Sequence, residues 1–302
     1  MLVQTAVAVA LFAPMAASGQ QVTSVLQVLD TKTGEVRTVK EFPYLIEAPN
    51  WTKDGKWLVY NSGGQIYRIS PDGEEAGLID TGEVRGCNND HVLSADGKSI
   101  AISANAPGLP GSRIFILPLE GGKPRLVTPI SPSYLHGWSP DGKTLCYCAE
   151  RNGNFDVYSI PADGGEETRL TTAEGLDDGP EYSPNGKYIW FNSVRTGLMQ
   201  VWRMKADGSD QRQMTFDEDL NSWFPHVSPN GKKVAFIADH KGDLEPGEHL
   251  ANKNVVLRVM TAKGRKLHTV LELFGGQGTI NVNSWAPDSR HLAFVSYRLG
   301  NQ

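Results

Sequence analysis

The sequence predicts an all-β fold: one six-bladed β-propeller of four-stranded antiparallel blades. Two interleaved repeats and the order in which they occur predict it. The first repeat is a strand, a Pro/Asp/Gly turn and a more hydrophobic strand. It occurs six times, as WTKDGKWLVYNS from Trp51, LSADGKSIAISA from Leu93, WSPDGKTLCYCA from Trp138, YSPNGKYIWFNS from Tyr182, VSPNGKKVAFIA from Val227 and WAPDSRHLAFVS from Trp285. Asp-Gly and Asn-Gly supply the positive φ that a tight hairpin requires. The second repeat is another hairpin, as in QIYRISPDGEEAGLI and DVYSIPADGGEETRL, and it also occurs six times. Two hairpins make a unit of about 45 residues, the size of one propeller blade.

The order of the hairpins closes the ring. The chain begins with a second-type hairpin (Val25 to Val39) and ends with a first-type one (Asn283 to Ser296). Pairing these two completes the sixth blade from both termini and removes the open sheet edges of a linear array. Residues 20–302 therefore read as a single domain. Residues 1–19 read as a signal peptide: an apolar run from Ala6 to Phe12 precedes the small residues Ala17 and Gly19, although the n-region lacks Lys or Arg. The expected location is periplasmic or secreted, and the run is too short to span a bilayer.

Composition narrows the partners. Twenty-nine Lys and Arg stand against 34 Asp and Glu, a net charge of −5. No basic run supplies the electrostatic footprint of a nucleic-acid binder, so nucleic acid is not an expected partner. The three cysteines cannot form a closed disulfide set, and neither a CxxC nor an HExxH occurs. With no GxSxG elbow, a complete serine hydrolase of the propeller-plus-α/β type is also not expected.

The loops that enter the inner strands gather at one mouth of the channel and carry the candidate site. His91 and His136 stand at the same count from their turns, and Glu181 and His226 lie one residue further on. Imidazoles and carboxylates converging on one mouth suit metal binding or acid–base chemistry. His91, His136, Glu181 and His226 are the candidate ligands of a divalent metal. His136, His226 and Arg85 are the candidate catalytic groups, and Asn89, Asp178, Trp223, Gln277 and Asn281 are the candidate ligand-binding rim. Each has a plainer reading. A histidine before such a turn can bond a Ser and an Asp of its own blade, and Trp223 or Tyr134 can wedge between blades. The insertion DHKGDLEPGEHLANK reads as a loop over the mouth, with His240 and His249 exposed to solvent.

The run SPDGK…Y…IPADGGEETRLT resembles the TolB-like, WD-repeat-like propeller repeat, from Val25 to Arg298. The resemblance implies a binding or scaffold module that acts with an envelope protein. The polar residues at the mouth make a polar small molecule or an oligosaccharide the other expected partner, and the expected state is a monomer. Oligogalacturonate lyases are similar to this repeat type more distantly. That resemblance implies an alternative, a metal-assisted lyase in which a histidine removes the proton α to a uronate carboxylate and Arg85 holds the acid. The Gln-x-x-His-x-His run of those lyases is absent here.

Overall fold

The computed structural model describes residues 21–300, so the signal-peptide segment lies outside the described residues. Six antiparallel sheets form the ring, each running from an inner strand at the channel to an outer one. The inner strands of blades 1 to 5 are Glu47–Trp51, Gly86–Leu93, Ser133–Trp138, Asp177–Tyr182 and Leu220–Val227. Blade 6 joins the two ends of the chain: Val22–Asp30 pairs along its whole length with His291–Leu299, and Val36–Phe42 follows outside. Its inner strand is reduced to a single bridge between Trp285 and Leu292. An Asp30–Arg290 ion pair stitches the same seam.

The turns form as their sequence requires. In blade 3 the Ser139 hydroxyl donates to Asp141 at 2.6 Å, the Thr144 N–H donates to Ser139, and Gly142 takes a φ of 75°. In the sixth copy, where DSR replaces DGK, Ser289 adopts that conformation with a φ of 59°. Middle strands such as Thr144–Arg151 and Lys233–His240 are apolar on both faces and pack against neighbouring blades, so the core lies between sheets.

One irregularity recurs. Every regular inner strand carries a β-bulge at the channel mouth, between Glu47 and Asn50, Cys87 and His91, Leu135 and Gly137, Asp178 and Glu181, and Trp223 and His226. A bulge leaves an extra residue unpaired and re-aims its side chain. Five of them at one level put five irregular segments around a common axis.

Candidate functional site at the channel mouth

His136 is the bulged residue of blade 3, and its direction follows from that position. Its ring reaches across to the next blade, where Nε2 lies 3.2 Å from Asp178 Oδ1, and back to blade 2, 3.9 Å from Asp90 Oδ1. The in-blade alternative is not what forms, because Ser139 and Asp141 bond each other. Burial disfavours the imidazolium, yet the two carboxylates outweigh it and raise the His136 pKa. Burial pulls Asp178 upward, but its partner His136, with help from the Gly179 N–H at 2.7 Å, holds it down at about 2. Burial pushes Asp90 up to about 6, against the pull of His136. Asp90 also accepts from Asn281 Nδ2 at 2.7 Å and Asn88 Nδ2 at 2.8 Å.

His136, Asp178, Asp90 and Asn281 line a narrow cleft with about 10 Å³ of free space, room for about one water molecule, together with Tyr134, Gln277 and His249. Phe224 stacks on His136 with ring centroids 5.7 Å apart. It sits in the left-handed region at a φ of 54°, rare for a bulky residue, with its N–H donated to Asn192 Oδ1 at 3.1 Å. Gly179 is required beside it, since a Cβ there would meet Asn192 Oδ1 at 2.6 Å.

Of the residues singled out from the sequence, His136, Asp178, Gln277 and Asn281 meet in this cleft. Asn89 lies just behind, its carbonyl accepting from Asn281 Nδ2 at 3.2 Å. The others lie elsewhere. In blade 2 the bulge ends one residue earlier than in its neighbours, so His91 pairs in register with Ile102. Its ring is fully buried, beside the Val59 and Ala48 backbone, and is held neutral by burial with a pKa of about 4. Asp90 takes the place at the mouth that the count assigned to His91. His226 and Glu181 form an interblade lock: Nδ1 lies 2.7 Å from Glu181 Oε2, and Nε2 lies 2.5 Å from the Ile280 carbonyl. Glu181 Oε1 accepts from the Val227 N–H and from Asn283. Arg85 is exposed and donates to the Gly82 carbonyl.

His91, His136, Glu181 and His226 therefore do not share one coordination shell. Among the described residues no group of three His, Cys, Asp or Glu is placed to hold a metal ion. Both nitrogens of His226 are already engaged, which leaves no lone pair for a ligand bond. Trp223 is 1% exposed and donates from Nε1 to Asp239 at 3.1 Å, so it is not an open platform.

The sequence reading missed His249. The insertion does lie over the mouth, and His240 is exposed as expected. His249 instead turns inward, its ring centroid 4.6 Å from Trp223 and 5.3 Å from Phe224. The length of the insertion marked the loop, but nothing in its sequence marked which histidine would dock. Asp90 was visible beside His91, and only the displaced bulge shows which of the two faces the cleft.

The fold and this mouth define a class, a six-bladed propeller with a buried polar cluster held between blades. Residues 111–262 match the TolB beta propeller domain. The chain belongs to that TolB-like family. An uncharacterized protein of Agrobacterium fabrum is 45% identical over 280 residues, covering 92% of this chain and 94% of that one. A provisionally named TolB from Agrobacterium tumefaciens superposes with a TM-score of 0.87 at 45% identity, over 92% of this chain and 99% of its own. TolB from Acinetobacter baumannii shares the fold at a TM-score of 0.64 and 21% identity, over 81% of this chain and 62% of that one. An oligogalacturonate lyase from Vibrio parahaemolyticus shares only the fold, at 0.52 and 14%, over 84% and 74%.

Proposed function

We propose that the chain is an exported TolB-like binding module whose channel mouth recognises a polar group of a small ligand, an oligosaccharide or an envelope protein. The observation that carries this reading is the state of the cleft. His136 is committed to Asp178 and Asp90, and Asp90 to Asn281 and Asn88, so the polar groups form a fixed frame, in which the buried Asn281 Oδ1 has no hydrogen-bond partner. A general base needs a free lone pair within reach of substrate. A recognition site needs fixed groups that present charge and hydrogen-bonding capacity. The frame suits the second requirement. The metal-assisted lyase draws less support, because the imidazoles it needs stand apart.

Calorimetric titration tests the reading, with neutral and uronic oligosaccharides and peptides of envelope proteins as ligands. Binding should fall at least tenfold in His136→Ala and persist in His291→Ala, a surface change on a different blade. Equal affinity in wild type and His136→Ala would move the site away from the channel mouth.

Export and a monomeric state belong to the same proposal. Among the described residues no helix is long and apolar enough to cross a membrane. N-terminal sequencing of the native protein should find Gln20 or a near neighbour first, and recovery of Met1 would contradict export.

A further inference from the structure

The strap formed by residues 241–250 is attached to the propeller at its two ends. The Lys241 N–H donates to the Asp219 carbonyl at 2.9 Å, and the Gln277 N–H donates to the Leu250 carbonyl at 3.1 Å. Between those points its backbone bonds are local, Asp243 N–H to His240 and Glu248 N–H to Glu245. Lys241, Asp243, Glu245, Glu248 and Leu250 are exposed. Against this, His249 sends its imidazole into the cleft, into the corner made by Trp223 and Phe224. Its ring is inclined 47° to the indole and stands at 84° to the phenyl ring. Its Nδ1 is buried with no hydrogen-bond partner. An unmatched polar atom in an aromatic corner is a poor anchor, since burying it without a partner costs free energy.

Both ends of the strap carry a backbone special enough to act as a pivot. Gly242 has a φ of 94°, and Asn252 has a φ of 60° at a bulge between Ala251 and Lys253. The Asn252 Oδ1 is also buried without a partner. Such positions are where a few φ/ψ changes can move a short segment.

We propose that His249 is an internal plug, its imidazole holding the place that a planar N–H heterocycle of a ligand takes over Trp223 and Phe224, and that the strap swings aside on Gly242 and Asn252 to admit it. This rests on the reading of the mouth as a binding site and adds the shape of the ligand. The corner admits a flat five-membered ring at stacking distance, and Asp178 offers an acceptor on the same wall. The charges around the ring support the mechanism. Burial lowers the His249 pKa, Asp178 of blade 4 opposes that, and His136 of blade 3, whose charged form is favoured by its carboxylates, adds to it. Asp90 of blade 2 and Tyr134 and Cys148 of blade 3 complete the titratable lining. The docked ring is therefore neutral. A group whose docked pKa lies below its free value of about 6.5 is released by protonation, so acid favours the open strap.

The test uses imidazole itself, at pH 8, with the full chain as wild type, His249→Gly and His249→Gly/Trp223→Ala. Binding is followed from the imidazole side, by calorimetric titration and ligand-observed NMR, so that all three proteins are read in the same way. His249→Gly should bind imidazole at least tenfold more tightly than wild type, and the double variant should lose that gain. Equal binding to wild type and His249→Gly, or no binding to a folded His249→Gly, overturns the plug. Hydrogen exchange in wild type, corrected for intrinsic rates, should quicken at residues 243–249 between pH 8 and pH 5, and unchanged protection counts against it. Imidazole binding to His249→Gly without any oligosaccharide or peptide ligand would uphold the plug and sink the broader reading. Such ligands binding wild type and His249→Gly equally would do the reverse.

Discussion

His136 and Asp178 set how the site responds to pH. The His136 pKa is raised, so its contribution to stability is full below the unfolded value of about 6.5 and is lost as pH rises through the folded value. Asp178 is lowered to about 2, so its contribution holds above the ordinary value of 3.8 and is lost as pH falls toward 2. Asp90, raised to about 6, favours the folded state only while protonated, and that contribution is lost as pH rises from the ordinary value of 3.8 to about 6. Thermal stability should therefore peak near pH 4 and decline toward pH 8, first through Asp90 and then through His136. Asp178→Asn should cost about 2 kcal/mol at pH 5, the order implied by its shift at about 1.4 kcal/mol per pKa unit, and less at pH 8. Asp90→Asn should flatten the decline between about pH 4 and pH 6, and a profile indifferent to both changes would contradict this electrostatic frame. The chemistry of His136 was legible in its residue type and its place before the turn. What separates it from His91 is one step of bulge register, which depends on pairing with a neighbouring strand and leaves no mark in the local sequence.

Among elements, the inner strands are where sequence and packing meet most tightly. Gly137 follows His136 because a Cβ there would lie 2.4 Å from Cys146 Sγ and 2.7 Å from the Pro180 carbonyl. Gly137→Ala should destabilise the protein by about 1–3 kcal/mol, the usual cost of overpacking, and should shift the His136 resonances because the bulge must move. A variant of wild-type stability with unmoved resonances would show that the close approach is not required. The turns and middle strands could be read directly, since Asp-Gly pairs and apolar runs are local signals. The bulges could not, although Pro49, Pro180 and Pro225 stand within three of them. A proline lacks the N–H that a regular ladder would use, and that was the one available hint.

At the scale of the whole molecule, closure was the most legible feature, because hairpin order alone implies that the two ends share a blade. The pairing of Val22–Asp30 with His291–Leu299 is the physical latch. Deleting residues 21–42 should leave two unpaired edges and an aggregation-prone chain, and a soluble, cooperatively folding truncation would contradict the role given to the latch. The ring in turn places blades 2, 3 and 4 so that Asp90, His136 and Asp178 meet, and the binding proposal stands on that meeting. Its most direct test is the titration of His136, read from the imidazole nitrogen resonances across pH in the wild type and in Asp178→Asn. The expected result is a wild-type ring that stays doubly protonated to higher pH than a free imidazole, and a ring in Asp178→Asn that loses its proton at lower pH than the wild type. A wild-type His136 that titrates at or below the ordinary value of about 6.5, or that is unmoved by Asp178→Asn, would contradict it.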